Sequence, residues 1–245
     1  MGTPTGTSGT ADTIAQLRSR MARMHDDVPQ QALETHPALA GLVQLRAGSS
    51  YAVDSASLAL ALMAGPSATG SWCAVVGVGD FGAEAARALG VDLDRTVLVP
   101  EPGDQWVEVT AALVDVVTLV VVRPPGRVAE QVAGKLAARL RKRSAALVAQ
   151  EATPGDWPRC EVRLTTREPA WSGVGRGDGH LRSRRLLVEA QRGTAPPRRG
   201  ALWFPDERGR VSGPADGGRA SRATEERSRD RRVETRPIAS VEGVA

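Results

Sequence analysis

The chain has 245 residues, 41% hydrophobic and 3% aromatic, which is enough for one well-buried α/β domain with a tail. Its net charge of +4 is uneven: residues 1–156 hold 13 basic and 16 acidic side chains and residues 157–245 hold 19 and 12, so the basic excess lies in the C-terminal part. Two cysteines, Cys73 and Cys160, cannot build a disulfide framework or a four-thiolate zinc site, His25, His36 and His180 are too scattered to form a ligand pattern, and no apolar run reaches the ~18–20 residues that span a bilayer.

Residues 1–10 are rich in Gly, Ser and Thr and lack the apolar core of a signal peptide, so the cytoplasm is the expected location. Asp12 and Thr13 can cap a helix in which Ile14, Leu17, Met21 and Met24 form one apolar stripe, with Arg18, Arg20 and Arg23 off it. That helix must pack on its own domain or on a partner. The sequence divides into an N-terminal tail and helix (1–27), a linker (28–40), a domain (41–208) and an Arg-rich tail from Gly209 that holds too few apolar residues to fold alone.

Within the domain, strands alternate with helices. Strands are predicted at Ser49–Val53, Trp72–Gly77, Thr96–Pro100, Val116–Val122 and Ala145–Gln150. Helices are predicted at Ser55–Ala64 (ended by Gly65-Pro66), Ala83–Leu89, Asp104–Val114 and Val128–Arg143. Continuous apolar strands separated by helices argue a parallel sheet covered on both faces. Beyond Trp157 the pattern changes to strands without helices, at Cys160–Thr165, Arg185–Gln191 and Ala201–Phe204, with the Gly-rich Trp171–His180 between the first two; antiparallel extension of the sheet is expected.

Two stretches have the look of phosphate sites. Gly77, Gly79 and Gly82 form a G-x-G-x-x-G after a strand and before a helix, and Glu101 lies near the end of the next strand, where a ribose-binding acid would sit. Against an NAD(P) site stand Asp80, whose carboxylate repels a pyrophosphate, and the shortness of the following helix. Gly48 to Ser55 has P-loop spacing, but Val53 replaces its second glycine and Asp54 its lysine. In another register Ser49–Val53 is itself the strand and Asp54–Ala56 the loop. Either way no lysine is near, since only Lys135 and Lys142 exist and both fall in a later helix.

Five features in chain order resemble the core of RecA: Ser57–Leu60 of the helix, Cys73-Ala74, Leu89–Asp92, Gly103–Gln105 and the apolar strand Val116–Val122. The Gly-Ser-Trp-Cys-Ala-Val-Val-Gly run, the Trp106 helix and the segment from Trp171 to His180 are similar to the actinobacterial ImuA-type proteins, which are RecA-like. The resemblance covers roughly residues 12–205. It implies a RecA-like core with a mostly parallel sheet, helices on its flanks and antiparallel C-terminal strands. It also implies a role in damage-induced mutagenesis beside an ImuB-like protein and an error-prone C-family polymerase.

Departures from RecA decide the expected chemistry. The P-loop lysine is missing. The strand that should end in a magnesium-holding acid ends in Arg123-Pro124-Pro125. The catalytic glutamate maps near Val78 or Gly79, with Asp80 the only acid nearby. With three parts of phosphoryl-transfer chemistry absent together, the expectation is a pseudo-ATPase, without cofactor, acting as an adaptor. The expected partners are an ImuB-like protein, a second copy reached through the helix of Ile14, Leu17, Met21 and Met24, and weak non-specific DNA contact through arginines such as Arg182, Arg184 and Arg185. The alternative is an NAD(P)-dependent oxidoreductase built on Gly77, Gly79, Gly82 and Glu101.

Overall fold

The computed structural model describes residues 31–174 and 179–213. Eight strands form one sheet: β1 (Ser50–Val53), β2 (Cys73–Val76), β3 (Thr96–Val99), β4 (Leu119–Val122), β5 (Ala146–Gln150), β6 (Val162–Val174), β7 (Gly179–Gln191) and β8 (Arg198–Trp203). Their order is β3-β2-β4-β5-β1-β6-β7-β8. Strands β1 to β6 run parallel, while β7 and β8 add antiparallel to the β6 edge. Strands β1, β2 and β4 are buried along their whole length, which is why their sequences do not alternate.

Four helices connect the parallel strands: α1 (Ala56–Ala68), α2 (Ala83–Ala88), α3 (Trp106–Val114) and α4 (Glu130–Arg143). Helices α1 and α2 pack on one face, in a core that takes in Leu58, Leu62, Met63, Ala86, Val75, Leu164, Val188 and Leu202. Helices α3 and α4 cover the other face through Val114, Ala133, Leu136 and Leu140, together with Val120, Val122, Leu147 and Trp157. Arg139 and Arg143 of α4 both bind Asp115 after α3, and this holds its carboxyl well below the usual carboxylate range. Ser144, in the left-handed region at φ +53°, closes α4.

Several boundaries differ from the sequence expectation. Helix α1 does not stop at Gly65-Pro66 but runs to Ala68, since residues 58–67 are almost all buried and packing outweighs the breaker. Strand β4 starts at Leu119, because Val116 closes the last turn of α3 and is exposed. The Gly-rich stretch after Trp171 is largely strand: β6 and β7 are 13 residues each and pair out to Val174 and Gly179. Gly173 sits there at φ +100°, by an irregularity in register, and a Cβ on it would lie 2.4 Å from the His180 carbonyl oxygen.

The stretch 28–40, read as a linker, is part of the domain from residue 31 onward. Ala32 bridges to Arg46, Leu39 is fully buried, and the Glu34 carbonyl passes so near Gly65 that a Cβ there would be 2.4 Å away. At the other end Val211 and Ser212 are buried and Ser212 pairs with Trp203, so the chain folds back beyond Gly209 before residues 214–245. The amphipathic segment with Ile14, Leu17, Met21 and Met24, and the remainder of the Arg-rich tail, lie outside the described residues.

Candidate functional site

The carboxyl ends of parallel strands are where α/β sheets bind ligands, at points where successive connections leave to opposite faces. Here β1 and β2 send their chains to α1 and α2 on one face, while β4 sends its chain to α4 on the other. One strand, β5, separates β1 from β4. The end of β1 (Asp54), the end of β2 (Gly77), the end of β4 (Arg123) and the end of β5 (Gln150, Glu151) therefore share one end of the sheet.

The P-loop register from Gly48 to Asp54 is not a loop. Gly48, at φ +82°, precedes β1, where a Cβ would lie 3.3 Å from Arg141 near the end of α4, while Asp54 follows β1, so the strand lies between them. The loop is Asp54-Ser55, as in the second register. Val53 is buried in the strand, and Ser55 caps α1 by accepting a hydrogen bond from the Leu58 amide at 3.3 Å. Asp54 thus stands at the positive end of the helix. Its Oδ2 accepts hydrogen bonds from the Thr166 amide (2.7 Å) and hydroxyl (3.1 Å), and its Oδ1 is buried without a hydrogen-bond partner among the described residues. A carboxylate anchored to β6 takes the place where a P-loop presents an ammonium group.

Arg123, at the end of β4, is likewise engaged. Its guanidinium donates to Asp80 Oδ1 at 2.5 Å and to Gln150 Oε1 at 3.2 Å. The Arg123 contact holds the Asp80 carboxyl below its ordinary range. Of the three glycines in the loop after β2, only Gly77 has a packing reason: its φ is +74°, and a Cβ would meet the Arg123 carbonyl oxygen at 2.5 Å. Gly79 has open space beside it and Gly82 meets only the Ala85 side chain. Helix α2, which would receive a pyrophosphate, has six residues. Glu101 follows β3, next to β2, and is exposed. The loop and Glu101 thus reach the same end of the sheet, with the Asp80–Arg123 pair at that end as well.

Beside this stands a buried ion pair that no motif in the sequence singles out. Glu151 has a side chain only 1% exposed. Its Oε1 accepts the Trp157 amide (2.7 Å) and the Gly155 amide (3.2 Å), and Arg163 of β6 grips both carboxylate oxygens at 2.8 and 3.0 Å. The Trp157 indole reaches Ser50 Oγ at 3.3 Å. The two amides are 4 and 6 residues from Glu151, but Arg163 is 12 residues away and Ser50 is 107 from Trp157, so the sequence spacing does not show the cluster.

Arg184 leaves the sheet toward α1, donating to Ser57 Oγ (2.9 Å) and to the Phe204 carbonyl (2.8 Å). Its guanidinium lies over the rings of Trp171 (5.3 Å) and Phe204 (5.8 Å). It is thus a structural clamp in the outer half of the β6–β7 hairpin. Its neighbours Arg182 and Arg185 are exposed. Among the described residues no three His, Cys, Asp or Glu side chains gather as a metal site, and no helix is long and apolar enough to cross a membrane.

The family model described as the MT3502 N-terminal domain matches residues 38–159, from the buried N-terminal segment through the last helix-connected strand and the Glu151–Trp157 loop. Uncharacterized protein Rv3395c of Mycobacterium tuberculosis (strain ATCC 25618 / H37Rv) is 34% identical over 193 residues, spanning 74% of this chain and 92% of that protein. With that identity running nearly the length of the mycobacterial protein, the chain belongs to the MT3502 N-terminal domain family.

Proposed function

We propose that this protein is a non-catalytic, RecA-like adaptor of damage-induced mutagenesis, which binds an ImuB-like protein and supports translesion synthesis by an error-prone polymerase. The observation that carries the non-catalytic half is the self-neutralised end of the sheet. Asp54 is tied to Thr166 and Arg123 to Asp80 and Gln150. A triphosphate entering there meets a carboxylate at the helix start and finds Arg123 already paired. The strand order, with β5 between β1 and β4 and an antiparallel extension past β6, supports the RecA-like part of the reading. The mutagenesis role rests on the ImuA-type resemblance.

Two measurements test it. A ligand at a hundredfold excess over its Kd stabilises a folded protein by about 2.7 kcal/mol, a rise of several degrees in melting temperature for a domain of this size. ATP–Mg²⁺ is expected to give no rise; a clear one refutes the pseudo-ATPase reading. A rise with NAD(P)(H) instead favours the oxidoreductase built on Gly77, Gly79, Gly82 and Glu101. A pull-down with an ImuB-like protein is expected to retain it, and failure to retain it with the full chain removes the adaptor. Deleting residues 1–27 or 214–245 then shows whether an end or the core carries the contact.

A further inference from the structure

Helices α3 and α4 cover one face of the sheet only over β1 to β5: among the described residues, none of β6, β7 or β8 belongs to the core beneath them. On β7, Leu186, Val188 and Ala190 point into the opposite core, so Leu187, Glu189 and Arg185 point out on the uncovered side. The register sets Arg167 opposite Leu187 opposite Ala201, Glu189 opposite Arg199, and Arg185 opposite Trp203. Glu189 bonds both Arg167 (3.4 Å) and Arg199 (2.7 Å), which confirms that all three share this face. The described residues leave this three-stranded platform open, with Arg167, Arg185 and Arg199 around the acid Glu189 and half-buried Leu187, Ala201 and Trp203 between the charges. Arg167, Arg185 and Arg199 are exposed, and Arg185 has no ion-pair partner among the described residues.

We infer that this face of β6–β8 binds single-stranded nucleic acid. Strands lie about 4.8 Å apart and same-face residues about 7 Å apart along a strand, so the guanidinium groups are distributed on the scale of successive phosphates. Flat apolar and indole surface between them accepts unstacked bases, which a duplex does not present. The charge fits as well, since the excess of basic residues lies in the part of the chain that builds these strands. The surface adjoins the Asp54 end of the sheet, since Arg167 follows Thr166, but none of its three arginines holds Asp54 or pairs with Asp80. The inference therefore stands apart from the adaptor reading, and either can fail without the other.

The test is fluorescence anisotropy of a labelled 20-residue oligo-dT with the full-length protein and with R167Q/R185Q/R199Q, at several salt concentrations. Since each phosphate contact contributes about 0.7 to the slope of log K against log salt for single strands, the variant is expected to bind at least tenfold more weakly, with a slope shallower by about 2. W203A is expected to weaken binding without changing the slope. An unchanged affinity in a triple variant that melts like the wild type overturns the proposal and assigns any binding to another part of the chain. A wild type that does not bind at 50 mM salt also overturns it. So does preference for a duplex of the same length, or displacement of the oligonucleotide by poly-glutamate as readily as by unlabelled oligo-dT, the latter marking an acidic polypeptide as the occupant.

Discussion

Replacing Glu151 by alanine tests whether the ion pair behind the loop after β5 organises this end of the sheet. The carboxylate accepts four hydrogen bonds: two from Arg163 at 2.8 and 3.0 Å, and two from backbone amides of Gly155 and Trp157. Its removal strands the guanidinium of Arg163, whose side chain is only 26% exposed, and leaves the Trp157 amide, in a fully buried residue, without its acceptor. Breaking a buried pair by deleting one partner costs about 3–5 kcal/mol. Partial solvent access at Arg163 places the expected loss toward ~3 kcal/mol, a drop of about 6–12 °C in melting temperature for a domain this large. Urea unfolding followed by circular dichroism gives the free energy directly. The double substitution with Arg163→Met should recover part of the loss, because no orphan charge remains. A loss below about 1 kcal/mol for Glu151→Ala, or no recovery in the double variant, would refute the claim that unpaired burial of Arg163 dominates the cost.

Gly77→Ala should destabilise by at least ~2 kcal/mol, through the positive φ and the collision with the Arg123 carbonyl, whereas Gly79→Ala should be nearly neutral; parallel melts separate the two. His36 accepts the Ala38 amide at Nδ1, and burial pushes its imidazole below the usual value. The bound form is the neutral one, so its contribution is complete above about pH 6.5 and is lost as pH falls through the lower folded value. Stability measured from pH 7.5 to 5 should therefore decline more in the wild type than in His36→Asn. The buried Cys73 thiol, pushed up to about 12, should resist a disulfide-exchange reagent at pH 8 until urea unfolds the chain. Arg184→Lys should lose the fork to Ser57 and Phe204 and melt lower than wild type by a few degrees, since an ammonium group cannot make both bonds in that plane.

The parallel half of the fold was legible because its strands are continuous apolar runs and its helices carry clear periodicity. Boundaries failed where packing overrode local chemistry. Gly65-Pro66 reads as a stop, yet the helix continues because its glycine lets the chain at Glu34 approach. Likewise Gly173 reads as loop, but it marks an irregularity inside a long hairpin. Of the candidate site, the lost lysine and the cation after β4 were visible in the order of residues. The partners that occupy Asp54 and Arg123 were not, because Thr166 is 112 residues from Asp54 and Asp80 is 43 from Arg123, and only strand order brings them together.

The contact between Glu34 and Gly65 also bears on how the protein can be shortened. A fragment begun at residue 41, after the apparent linker, would lose Leu39 from the interior and strip the covering from one side of the longest apolar helix, inviting aggregation. A fragment begun before Gln31 keeps the Gln31 carbonyl for the Ala47 amide and the whole N-terminal cover. The practical edge of the folding unit is thus set by a carbonyl lying against a glycine, some ten residues upstream of where periodicity begins.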